Sequence, residues 1–512
     1  MALSNSEETD FPTDALRHAQ KMTRQARLVA GVLACTILAV LVFALFVEPL
    51  DHDEFQHLFL AWNTAQGEQL YVDTFDTHGP LYTLINAFFF AVAGPPSGPG
   101  VYTLFRAGSL LALMGIASLV FRVARDVTGN LQTSTLASLL FLTLVPIMNK
   151  GIEIRPDVLQ NLLWMMCIGL IGTDLGASNR GRYRLAGVLL GLAGMTNTKA
   201  ALGAAALGCF FVLQLALDPS RRRERLTTYI HLAIGALVSC FALVIPFVVW
   251  GTAAEAIAYS VTVPFYLAAH HDKGPMPSLL PVLTTVHTVF SLSACGGLYL
   301  LIKGKAGISN THARYIVVLA LVTTVGSLKV GHAQILLISL PLLSVVAAVG
   351  VQWCLARLSS DVVRLCVVLA IIVPAPTQYI RALSTDYGKR KAQDELLVHT
   401  LSHLSRDDKI GVFWNDCGGY SFNPPSRFLW MGNYSAWLAE QMYRRGHGNR
   451  QQFEQQERAH LEAGAFDVVI GRMNSFHYRE LGVGPEHDLR EHFTQSHDAC
   501  LWTRKLERPD ED

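Results

Sequence analysis

LVAGVLACTILAVLVFALFVEPLDHDEFQH (residues 28–57) joins an uninterrupted apolar run to a cluster of carboxylates and histidines. The run from Leu28 to Val47 is about 20 residues, the length that crosses the hydrocarbon of a bilayer. Lys21, Arg24 and Arg27 precede it, and it lacks the small-residue cleavage site of a secretory leader, so it reads as an anchor entering from the cytoplasm. Asp51, His52, Asp53, Glu54 and His57 therefore emerge on the outer side. Carboxylates are costly near hydrocarbon, so such a cluster either marks the water boundary or does chemistry at the membrane surface.

The rest of the chain repeats the pattern of the opening run. Hydrophobic residues make up 51%, charged residues 16%, and the mean hydropathy is +0.32; a typical soluble domain carries roughly 25% charged residues. Further apolar runs lie at about 80–93, 102–121, 133–148, 158–173, 185–197, 200–217, 229–250, 279–302, 315–331, 333–352 and 362–380. The net charge of +1 and the scatter of the basic residues argue against nucleic acid as a partner. The fold class is a polytopic α-helical membrane protein.

Positive charge sets the topology. Arg122 and Arg125, RGRYR (180–184), SRRRER (220–225), KGK (303–305), Arg357 and Arg364 mark the inner connections. The first helix exits near Leu50 and the run from Val101 must return to the cytoplasm at Arg122, so 80–93 cannot be a full crossing. It is also too short for one and suits a re-entrant or interfacial helix. About eleven crossings result. The organisation is a cytoplasmic tail 1–27, a membrane module 28–384 with an outer loop 49–101, and an extracytoplasmic region 385–512.

That last region is mixed polar and large enough for a small domain. KIGVFW (409–414), RFLWM (427–431) and FDVVIG (466–471) read as strands and 436–462 as helix, giving a small α/β domain. Seven of the nine cysteines sit in or beside apolar helices; Cys417 and Cys500 stand alone in the tail and could pair in an oxidising compartment.

The outer connections collect the polar features: NKGIEIRPD (149–157), NTK (197–199), the segment with AAHHDKGPMP (268–277) and GHAQ (331–334). DHDEFQH (51–57), GEQLYVDTFDTHGPLY (67–82), EIRPD (153–157) and GLAGMTNTKAAL (191–202) thus follow in order on one face. This series resembles the GT-C class of membrane glycosyltransferases, and within it the bacterial members of the protein O-mannosyltransferase and aminoarabinose-transferase superfamily, over roughly residues 28–350. The resemblance implies a polyprenyl-phosphate sugar donor, an active site on the outer face of the cytoplasmic membrane, and two membrane-surface helices in the first outer loop. Two extra residues, Asn197 and Thr198, intrude where the family usually carries a Thr-Lys pair after the glycine-rich helix, and His78 stands where some relatives carry lysine.

Transfer of a sugar from a lipid phosphate needs a base for the acceptor hydroxyl and cations for the leaving phosphate. Position in the family motif and at the helix exit makes Asp53 the candidate base, with Glu54 second or else capping the following helix. Asp157 reads as an acceptor-positioning or metal-binding carboxylate, or as a helix N-cap. Arg155, Lys199 and His78 are candidates for the donor phosphate; Lys199 can also snorkel, and His78 can simply end a turn. His270 and His271 on a Pro-containing loop, and His332 at a tight turn, are candidates for a lid or acceptor loop, or plain solvated positions. His52, Asp53, Glu54 and His57 include ligand types for a divalent metal, and Asp53 and His57 would share a helix face, but no zinc-type spacing is present, which leaves metal dependence open. The acceptor is a lipid, a glycan or a protein, and membrane lipids are constant partners. A transporter or flippase of lipid-linked sugar is the alternative from another class, although no inverted repeat is visible. An oligosaccharide ligase or polymerase would share the architecture.

Overall fold

The computed structural model describes residues 24–49, 51–72, 76–93, 100–172, 179–265, 288–327 without 305 and 307, 333–388 without 386, and five short strands between 410 and 504. Its α-helices are α1 (Arg24–Val47), α2 (His52–Ala65), α3 (Pro80–Ala93), α4 (Gly100–Thr128), α5 (Leu131–Leu142), α6 (Val145–Lys150), α7 (Pro156–Ile171), α8 (Arg180–Gly194), α9 (Ala200–Leu217) and α10 (Arg222–Val249). There follow α11 (Ala253–Ile257), α12 (Thr288–Ile302), α13 (Asn310–Ser327), α14 (Leu340–Leu355) and α15 (Asp361–Ile372). Among the described residues, five stretches are long and apolar enough to cross a membrane: Arg24–Val47, Tyr102–Thr128, Ala200–Leu217, Pro219–Val249 and Asp361–Thr385. Five shorter apolar helices accompany them, among them the 14-residue α3, which falls short of the length of a span.

Two of the expected runs are broken. The run 133–148 divides at Thr143 and Leu144, because Pro146 cannot continue the hydrogen-bond ladder of α5 and instead opens α6. The Thr143 hydroxyl donates to the Leu139 and Leu140 carbonyls (3.0 and 3.1 Å) and satisfies that end. The run 333–352 begins as a 3₁₀ segment, Ala333–Ile338, and becomes α14 only where Pro341 occupies its first turn. Hydropathy is blind to both breaks, since a lone Thr143 or Ser339 among apolar neighbours leaves a window average high.

The chain divides into two compact units. The first comprises Met1–Phe46, Asp76–Tyr82 and Arg106–Ala382. Its helices approach closely through glycine. A Cβ on Gly187 of α8 would run into the Leu232 carbonyl of α10, and one on Gly235 of α10 into the Arg184 carbonyl of α8. α12 and α14 meet in the same way at Gly297 and Gly350. Small residues at crossings let backbones touch where lipid supplies no hydrophobic drive between helices.

The second unit comprises Val47–Phe75, Thr83–Phe105 and Leu383–Asp512. Trp62 of α2 stacks edge-on against Phe90 of α3 (5.8 Å, 89°), and Phe90 lies 5.2 Å from Phe105. The strands are β1 (Ile410–Val412), β2 (Phe428–Met431), β3 (Val468–Ile470), β4 (Phe493–Gln495) and β5 (Leu501–Arg504), in the order β2-β1-β3-β5-β4. β1 pairs in parallel with β2 and β3, whereas β5 pairs antiparallel with β3 and β4. The stretch 436–462, read as helix, lies outside the described residues, as do Cys417 and Cys500.

Candidate functional site

Three short connections of the first unit build a charged centre at helix ends. Arg155 is extended (φ −140°, ψ 145°) and Pro156 starts α7, which leaves Asp157 in the first turn just ahead of the apolar stretch from Val158. α8 stops at Met195, and Thr196–Thr198 turn the chain into α9, with Lys199 at its N-cap position. The loop from Asp76 to Pro80 is an Asx-type turn in which Asp76 Oδ1 accepts the His78 backbone N–H (3.0 Å). The same oxygen lies 2.8 Å from His78 Nδ1. A hydrogen bond from Leu81 N–H to the Met195 carbonyl (2.9 Å) fastens this loop to the α8–α9 turn. Gly79 makes the fastening possible, because a Cβ there would collide with the Met195 backbone.

Asp157 is the hub. Its Oδ1 accepts from Lys199 Nζ (2.5 Å) and from Asn197 Nδ2 (3.4 Å), and its Oδ2 faces Arg155 Nε (3.6 Å). Arg155 Nη1 donates onward to Glu153 Oε2 (3.2 Å), and Lys150 Nζ to Glu153 Oε1 (2.6 Å). Cation and carboxylate alternate through Lys150, Glu153, Arg155, Asp157 and Lys199. The middle of the series is buried (Asp157 2%, Arg155 5% exposed), whereas the Lys199 and Lys150 side chains keep 20% and 28% of their surface. The ends of the series can thus meet an incoming anion.

Burial works against ionisation of Asp157, yet Lys199 and then Arg155 overcome it and hold the carboxyl below its ordinary value, with His78 adding to the effect. The helix N-terminus favours the same charge. Asp157 does not cap α7 with its side chain; Arg155 holds the N-cap position, without a side-chain cap bond.

In the second unit, Asp51 is the N-cap of α2. Its side chain accepts from Asp53 N–H (3.0 Å), and Glu54 Oε2 accepts from Asp51 N–H (3.0 Å), a complete capping box. Glu54 is buried and occupied with that bond, while Asp53 is half-buried in the first turn.

Of the sequence-derived candidates, the structure brings together His78, Arg155, Asp157 and Lys199. Asp53 and Glu54 belong to the capped turn of α2, and Asp53 and His57 stand one helical turn apart on it. His270, His271 and His332 lie outside the described residues. Sequence reasoning passed over Glu153 and Lys150, although the charge alternation at 150, 153, 155 and 157 is written in the chain. It also passed over Gln56, which is 3% exposed on α2 and whose amide nitrogen and oxygen both lack a hydrogen-bond partner among the described residues. A buried, unsatisfied amide is rare and marks a place where a ligand or water completes the bonding. The Asn197 departure from the family pattern now has a use, since Asn197 donates to Asp157 and its Oδ1 accepts from Lys199 N–H (3.1 Å).

Residues 77–250 match the family described as dolichyl-phosphate-mannose-protein mannosyltransferase, a span holding His78, Arg155, Asp157 and Lys199. ArnT from Cupriavidus metallidurans, solved in the apo state, aligns with TM-score 0.63 at 13% identity, covering 94% of this chain and 98% of its own. The chain has the fold of the GT-C membrane glycosyltransferases of the mannosyltransferase and ArnT type. ArnT bound to undecaprenyl phosphate aligns equally well, with TM-score 0.63, 12% identity and the same coverage of 94% and 98%. The Archaeoglobus fulgidus oligosaccharyltransferase AglB, solved with an inhibitory peptide and a dolichol-phosphate, gives TM-score 0.54 at 12% identity, over 94% of this chain and 75% of that one. A comparison with curated proteins finds no match.

Proposed function

We propose that the protein is a glycosyltransferase that moves a sugar from a polyprenyl-phosphate carrier to an acceptor hydroxyl at the outer face of the cytoplasmic membrane. The observation that carries this reading is the convergence of Lys199, Arg155 and His78 on buried Asp157 at the ends of apolar helices. Cations held by a buried carboxylate at helix ends, beside hydrocarbon, suit a phosphate whose tail stays in lipid. The likeness to structures holding undecaprenyl phosphate and dolichol-phosphate supports the same carrier class. In this reading the membrane module crosses about eleven times, and residues 385–512 form an extracytoplasmic α/β domain.

In the reaction, the acceptor oxygen attacks the anomeric carbon and the bond from that carbon to the phosphate oxygen breaks. The hydroxyl proton passes to the Asp53 carboxylate, and the electron pair leaves on polyprenyl phosphate. Lys199, Arg155 and His78 meet the charge that grows on the phosphate. Asp157 keeps Lys199 and Arg155 in place, and Glu54 holds the α2 turn that presents Asp53.

The test uses purified full-length protein and a radiolabelled polyprenyl-phosphate sugar with candidate acceptors. Release of polyprenyl phosphate is expected, and Asp53→Asn should lower it by about 100-fold or more, the range of a lost general base. Undiminished turnover in Asp53→Asn removes Asp53 as the base. Passage of intact donor across a vesicle membrane without cleavage would favour the transporter instead.

A further inference from the structure

A second cationic site lies in the first unit, away from the Asp157 centre, at the facing ends of α12 and α13. A cavity of about 360 Å³ opens there between Leu301, Ile302, Ala313 and Val317, with Lys303 and Arg314 on its wall. No carboxylate lines it, and neither cation has an ion-pair partner among the described residues. The backbone around it is already satisfied. Lys303 N–H bonds the Tyr299 carbonyl (3.0 Å), Gly304 closes α12 at φ +67°, and Ser309 accepts the backbone N–H groups of His312 and Ala313. What the described lining of the cavity lacks is negative charge.

Its apolar surroundings indicate the rest of the ligand. Arg314, Val317, Leu321 and Val325 fall on one face of α13. Exposure along that face grows from 9% at Val317 through 39% at Leu321 to 64% at Val325. On α12, Ile302 and Tyr299 are also exposed. An apolar track therefore runs from the two cations along helices read as entering the membrane. A soluble anion would use the charges and leave the track; a phospholipid uses both.

We propose that Lys303, Arg314 and this cavity bind the phosphate of an anionic phospholipid of the cytoplasmic leaflet, with an acyl chain laid along Val317, Leu321 and Val325. The assignment of leaflet rests on the inward reading of loop 303–305; the site does not, and its test in detergent is blind to orientation. Basic pockets between membrane helices on the inner side suit such headgroups.

Native mass spectrometry of the detergent-purified full-length protein measures the binding of phosphatidylglycerol against phosphatidylcholine. Tighter retention of phosphatidylglycerol is expected. The double variant Lys303→Gln/Arg314→Gln should weaken it by roughly tenfold or more, with phosphatidylcholine binding and the unfolding temperature unchanged. Equal phosphatidylglycerol affinity in the two proteins overturns the proposal. So does its displacement by millimolar inorganic phosphate, which would mark a free-anion site. Should the double variant unfold, Lys303→Arg/Arg314→Lys keeps both charges and must keep the binding; its loss there is likewise contrary to the proposal.

Discussion

Asp157 serves two cations at once, and that sharing fixes what its replacement does. Asp157→Asn removes the only carboxylate bonded to Lys199 among the described ion pairs and takes from Arg155 the charge that faces its Nε. Breaking a buried pair from one side costs about 3–5 kcal/mol, so a clear fall in the unfolding temperature in detergent is expected. The pH behaviour follows from the sign of the shift. A carboxyl held below its ordinary value of 3.8 contributes stability above that value and loses it only as the pH falls further, through the folded pKa. Any acid limb in a pH–activity profile between about pH 5 and 7 therefore belongs to another group, and an Asp157 that titrated in that window would contradict the pairing. These residues were legible as a set, because EIRPD and NTK carry unexplained charge on one face. Their pairing was not, since Lys199 and Asp157 are separated by a whole helical hairpin. Glu54 was legible in both of its readings, and Glu54→Gln separates them: Gln also closes a capping box, so activity should survive in Gln, whereas Ala should lower stability by the roughly 0.5–2 kcal/mol of a lost cap. Equal loss in both, at unchanged stability, would make Glu54 a catalytic carboxylate.

Elements meet at glycines in the first unit, and hydropathy cannot see such contacts. The apolar runs located the helices, because length and composition suffice for that. The α8–α10 crossing depends instead on Gly187 and Gly235 facing each other's carbonyls. Gly235→Val should force these helices apart and lower the unfolding temperature, an overpacking cost of about 1–3 kcal/mol; an unchanged melting curve would mean that the crossing yields without strain. α2 escaped the hydropathy reading because it carries Asp53, Glu54, Gln56 and His57, and only the Asp51–Glu54 spacing announces it. At the α8–α9 turn, Gly79→Ala would push the His78 loop off Met195. Donor KM should rise while the helical content, read by circular dichroism, stays the same.

For the whole molecule, charge asymmetry was the most useful sequence signal, and the count of crossings the least secure one. Five described stretches meet the length of a span, and the shorter apolar helices stop at prolines, glycines and polar turns that a window average smooths over. The orientation has its own test. A membrane-impermeant thiol reagent applied to intact cells should fail to label Ser220→Cys in a variant freed of its native cysteines, and should label it once the membrane is opened; labelling of intact cells would invert the topology. The alternating charges have one more consequence, which concerns turnover. A sugar-bearing polyprenyl phosphate is a diester with one negative charge, whereas the polyprenyl phosphate left behind is a monoester carrying about −1.5 to −2 at neutral pH. A pocket in which Lys199 and Arg155 face the phosphate grips the spent carrier harder than the loaded one. The departure of the lipid would then set the pace of the cycle.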